Sequence, residues 1–85
     1  MAEVMALIDQ ERIKMNMSAE KFATKIGVTS TTYSRQKNSR QALGFDAIRA
    51  YAKFAREVDN TDILRALSAY TLEIDPERIT INPSE

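Results

Sequence analysis

Ser18, Gly27 and Thr29 constrain this chain more than any other residues in it. The Ser18 hydroxyl can cap the orphan N–H groups of a helix over residues 19–26, and Glu20 in the first turn suits the positive end of the helix dipole. Met17 before the cap and Phe22 within the helix are spaced for a hydrophobic staple. Gly27 then ends the helix, because the left-handed closing position is most cheaply filled by glycine. Thr29 caps the next helix, over 30–37, only two residues later. Two short helices joined this tightly cannot lie antiparallel, so they must cross steeply, and Ala23 is small enough to let them approach. That spacing predicts a helix-turn-helix.

Apolar spacing predicts three more helices around this pair. Val4, Leu7, Ile8 and Met15 fall near one stripe over residues 2–15. Phe45, Ile48, Tyr51, Ala52 and Ala55 do the same over 45–57, after the loop "NSRQALG" with its breaker Gly44. Ile63, Leu64, Leu67 and Tyr70 form the last stripe over 62–72, which Asp59, Asn60 or Thr61 can cap. The expected fold class is all-α: a compact five-helix bundle over residues 1–72. Residues 73–85 hold both prolines, and "RITIN" alternates as a short strand would, so they are read as an extended tail.

Eighty-five residues suffice for one small core. With neither cysteine nor histidine, the chain has no disulfide, no thiolate chemistry and no zinc site of the usual kind. It also lacks a Gly-rich phosphate loop and a G-x-S-x-G elbow, so no enzyme activity, catalytic residue, metal or cofactor is expected. The first residues include Glu3 and Asp9 without a basic start and an apolar run. No stretch approaches the ~20 apolar residues of a membrane span, and the expected location is the cytoplasm.

The formal net charge is zero, yet it is segregated. Residues 14–56 carry nine bases and two acids, a balance of +7, whereas residues 1–13 carry −2 and residues 57–85 carry −5. A basic block between acidic ends points to a polyanion as partner. The helix over 30–37 sits inside that block and is rich in hydroxyls, "STTYSRQK", although Ser and Thr are mediocre helix formers. With Tyr33 and the stem of Gln36 turned inward, short polar side chains cover the rest. Such a face can approach base edges: hydroxyls donate or accept, a Thr methyl packs on thymine, and Arg reads guanine bidentately.

The run "MSAEKFATKIGVTSTTYSRQKNS" resembles the phage repressor/Cro-like helix-turn-helix family, the lambda repressor-like domains. The capping Ser18, Ala23, Gly27, Val28, Tyr33 and Asn38 carry the resemblance, with Ile48 and Ala52 further on, and it spans roughly residues 7–70. It implies a five-helix DNA-binding fold. Residue by residue, it implies that Ser30, Thr31 and Arg35 face bases, joined by Ser34 on the same outward face. It also implies that Thr29 and Thr32 lie near phosphates, and that Asn38 and Arg40 meet phosphate from the following loop. The chain departs from the family at Ala19, where Gln is frequent, and at Ser39, where Gly is usual. It departs again at Lys37, where many members carry a Glu paired with the arginine matched by Arg12. Lys37 is read as an added phosphate contact, and Arg12 must find another acceptor or face solvent.

Members of this family usually bind operators as dimers, so double-stranded DNA and a second copy are the expected partners. Leu72, Ile74, Ile79 and Ile81 are the dimer candidates, or else fold back over the first helix. The competing reading is a protein-interaction module of the same fold that binds another regulator or a toxin through the acidic C-terminal part.

Overall fold

A computed structural model describes residues 2–74 as five α-helices and their connections. They are α1 (Ala2–Lys14), α2 (Ala19–Ile26), α3 (Ser30–Lys37), α4 (Phe45–Glu57) and α5 (Thr61–Ile74). The all-α, five-helix class is as expected, and α2, α3 and α4 occupy the expected residues. Two ends differ. α1 stops at Lys14, one residue early, because the backbone reverses at Asn16 with φ 60°. α5 continues past Leu72 to Ile74, since the first breaker is Pro76, whose restriction reaches only the residue before it. Glu73 and Ile74 therefore belong to the last helix and not to a tail, whereas the expected strand, with Ile79 and Ile81, lies outside the described residues.

The Phe22 ring is the hub of the core. It meets Tyr33 of α3 edge-on at a centroid distance of 5.3 Å and Phe54 of α4 at 5.0 Å, so α2 bridges its two neighbours. α5 closes the other side, packed on α1 and α4, while α3 packs on α1 and α2. Phe54 is buried although the expected stripe of α4 omits it, and Phe45, Ile48 and Ala52 are only half-buried beside Tyr51 and Ala55. Leu43 is also buried, out of what reads as plain loop. Its N–H donates to the Tyr70 hydroxyl at 3.0 Å, which ties the α3–α4 connection to the last turns of α5.

The stripe of α1 is also corrected. Val4, Met5 and Ile8 are fully buried, while Leu7 and Met15 are half-buried. The inward face passes from Met5 and Ile8 to Asp9 and Arg12, so it turns from apolar to charged along the helix and blurs the periodicity.

Each of the first four helices closes on a left-handed residue: Asn16 at φ 60°, Gly27 at 102°, Ser39 at 59° and Asp59 at 55°. The backbone bonds are those of the Schellman motif. Ser39 and Arg40 donate to the carbonyls of Gln36 and Arg35, and Asp59 and Asn60 repeat the pattern on Arg56 and Ala55. Asn and Asp tolerate this region better than other residues with a β-carbon, which leaves Ser39 as the strained one. Ser39→Gly is therefore expected to raise stability by about 0.5–1 kcal/mol, relief of strain outweighing the added freedom of the unfolded chain. A higher urea midpoint at unchanged slope is the readout, and an unmoved midpoint would remove the strain argument.

Candidate nucleic-acid interface

Capping sets the start of α3. The Thr29 hydroxyl accepts from the Thr32 N–H at 3.1 Å and donates to the Thr32 hydroxyl at 3.0 Å, so these two side chains serve each other at the helix start. Tyr33 and Gln36 then take the inward positions, both buried. That phase leaves Ser30, Thr31, Ser34, Arg35 and Asn38 on the outer face by helical spacing. The left-handed Ser39 folds the backbone back so that Arg40 joins them. Ser30, Thr31, Ser34, Arg35, Asn38 and Arg40 line one open hollow. The four residues expected to read bases are thus together with two of those expected to meet phosphate. Thr29, Thr32 and Lys37 do not line it.

Charge distinguishes this hollow from the rest of the surface. Arg12, Lys14, Lys25, Lys37, Arg49 and Arg65 each have a carboxylate within 4.0 Å. Arg35 and Arg40 have no side-chain partner among the described residues, and they share one concave surface. Lys21, Lys53 and Arg56 are also unpaired there, but they lie apart from the hollow. Inside it, the Asn38 amide donates weakly to the Ser34 hydroxyl at 3.5 Å.

Two tyrosines brace α3 from behind. Tyr51 of α4 donates to Gln36 Oε1 at 2.7 Å, a bond closed off from water. Tyr33 donates to Asp9 Oδ1 at 2.6 Å, reaching across to α1. Burial pushes both phenols above their ordinary pKa, for Tyr33 with help from the Asp9 bond and charge, so both remain proton donors at any working pH.

Asp9 is the residue that sequence reasoning missed. Arg12 Nε donates to Asp9 Oδ1 at 2.8 Å and a terminal guanidinium nitrogen donates to the Met17 carbonyl at 2.7 Å, clamping the α1–α2 turn. Lys37 Nζ stands 4.0 Å from the same Asp9 oxygen. The arginine that lacks a Glu partner on α3 therefore takes its acid from its own helix, and Lys37 turns toward that acid. The signal was present as an i, i+3 acid–base pair on α1. Burial raises the Asp9 pKa, but the Arg12 and Tyr33 hydrogen bonds and the nearby charges of Lys37 and Arg12 more than offset this, leaving the carboxyl below its ordinary value. The Asp9 hydrogen bond in turn outweighs desolvation at Arg12, whose pKa is raised.

Of the expected dimer residues, Leu72 is 44% exposed and Ile74 lies in the last turn of α5. No group of three or more acidic side chains able to hold a metal occurs among the described residues, and no described helix is long and apolar enough to cross a membrane. No family model, curated protein or solved structure matches the chain.

Proposed function

We propose that this chain is a sequence-specific, double-stranded DNA-binding transcriptional regulator of the repressor kind, acting in the cytoplasm as a dimer. In this reading α2 and α3 form a helix-turn-helix and α3 lies in the major groove. The supporting observation is the hollow in which two unpaired arginines stand among small hydroxyl and amide side chains. Ser30, Thr31, Ser34 and Arg35 are of the types that read base edges, and Asn38 and Arg40, in the same hollow, are of types that bind phosphate. The bonds from Tyr33 to α1 and from α4 to Gln36 hold the reading helix rigid, which lowers the entropic cost of binding. One module of this size is small for tight, specific binding, hence the second copy. In the alternative, a protein-interaction module of the same fold, the acidic C-terminal part would contact another regulator or a toxin.

Selection of bound sequences from a random duplex pool, at low and at near-physiological salt, tests the proposal. An enriched two-fold symmetric motif that survives the higher salt is the expected result. Binding that vanishes with salt and leaves no motif would overturn base reading and favour the protein partner.

Arg40→Ala is expected to weaken binding to every duplex alike and to reduce the slope of log K against log salt by about one per subunit bound. Lys37→Ala should do the same only to the extent that its ammonium leaves Asp9 for a phosphate. An unchanged slope for either variant removes that residue from the phosphate contacts.

A further inference from the structure

We infer that Tyr51 and Gln36 are a positioning pair that sets the angle at which α3 meets the duplex, and that this buried polar pair serves discrimination between base sequences and not stability. The inference rests on the reading of α3 as the base-reading helix. α3 buries only two of its side chains, Tyr33 and Gln36. Tyr33 is held from two directions, by the edge-on Phe22 ring at 5.3 Å and by its bond to Asp9 at 2.6 Å, so α1 and α2 fix one point of the helix. Gln36 lies about one turn further on and is 2% exposed. There α4 reaches α3 with the hydroxyl of the fully buried Tyr51, which donates to Gln36 Oε1 at 2.7 Å. The other end of the amide, Nε2, has no acceptor among the described residues.

A buried amide whose N–H groups go unmet destabilises a fold, whereas methionine is unbranched like glutamine, fills irregular gaps and needs no partner. Stability therefore does not account for Gln36. Direction does. One anchored side chain leaves an eight-residue helix free to pivot about it, and apolar packing, being non-directional, resists that pivot weakly. A short hydrogen bond to a second point one turn away removes the freedom. The consequence is largest on the opposite face: a pivot of about 10° carries the far edge of a helix about 10 Å wide through nearly 2 Å. Hydrogen bonds to base edges tolerate only about 0.5 Å. Attraction to phosphate is longer in range and supplies nearly all non-specific affinity. Loss of the pair therefore lowers discrimination while leaving general duplex binding in place.

Three variants of the full chain separate direction from stability: Tyr51→Phe, Gln36→Met and the two combined. Each single substitution leaves a buried partner unmet and should lower the urea midpoint by about 1 M. The combined variant leaves no buried polar side chain there and should return to the wild-type midpoint or above it. Its α3 amides, residues 33–38, should nevertheless exchange with solvent about tenfold faster than in wild type. Its affinity for the selected site should fall about tenfold while its affinity for a scrambled duplex and its salt slope stay unchanged. A combined variant as unstable as the single ones would make the pair an ordinary stabilising bond and overturn the inference. Wild-type exchange in α3 would overturn it as well, as would wild-type discrimination in the combined variant. If wild type itself prefers no duplex while α3 exchange still quickens, the DNA reading fails and the positioning of α3 by the pair stands, so the two failures are distinguishable.

Discussion

Arg35→Ala is expected to lower affinity for the selected site by about ten- to a hundredfold per half-site, the worth of one good bidentate base contact, and to flatten the preference at one base pair of each half-site. The fold should not suffer. Arg35 is exposed and unpaired among the described residues, so truncating it removes no internal interaction, and a stability change within about 0.5 kcal/mol is expected. Arg35→Lys separates charge from geometry. Lysine keeps the positive charge but not the planar fork, so a base-reading role predicts lost preference at that base pair with an unchanged salt slope. Selection and equilibrium titration on cognate and scrambled duplexes read both quantities. Equal loss on all sequences, with Lys restoring most of the affinity, would reassign Arg35 to the phosphate backbone.

The parts of the fold legible in the sequence are those with local causes. Ser18, Gly27 and Thr29 act on backbone groups within a few residues, and the structure shows each doing so: Ser18 Oγ accepts from the Lys21 N–H, Thr29 Oγ1 from the Thr32 N–H, and Gly27 adopts φ 102°. Asn60 is likewise the cap of α5 among the three residues considered, accepting from the Ile63 N–H at 3.1 Å. The outer face of α3 was legible for the same reason, because an aromatic and a glutamine at 33 and 36 fix the phase of so short a helix.

What the sequence hid depends on contacts distant along the chain. Leu43 is buried because Tyr70, 27 residues later, offers its N–H an acceptor, and no local pattern encodes that. Arg12 lacks an acceptor in the sequence reading because nothing there singles out Asp9, one helical turn before it, as its partner. The role of Asp9 appears only once Tyr33 arrives from 24 residues away to share the same oxygen. Thr29 was read as a phosphate contact as well as a cap. Its hydroxyl both donates to and accepts from Thr32, so reaching a phosphate would mean giving up the donated bond.

Asp9→Asn should have the largest effect on stability of any polar substitution in the site, about 2–3 kcal/mol. It removes a charged acceptor from both Arg12 and Tyr33, and hydrogen bonds to charged groups are worth about 1.5–3 kcal/mol. Lys37, at 4.0 Å and more exposed, adds little. The pH dependence has a definite sign. The folded-state pKa of Asp9 lies below that of an unfolded chain, about 3.9, so on acidification the unfolded state takes up its proton first. The stabilisation from Asp9 is thus fully present above that pH and is lost as pH falls through the lower folded value. Wild type should lose stability steeply on the acid side, and Asp9→Asn, lower at neutral pH, should show a shallower acid limb, so that the two curves converge. Urea midpoints measured from pH 7 down to about pH 2 test this. Tyr33→Phe is the control: it deletes one donor, leaves the Asp9–Arg12 pair, and should cost about 1 kcal/mol with most of the acid limb retained. Parallel curves for wild type and Asp9→Asn would mean that other carboxylates carry the acid sensitivity. The anchoring of α3 would then rest on the Tyr51–Gln36 bond and the aromatic core.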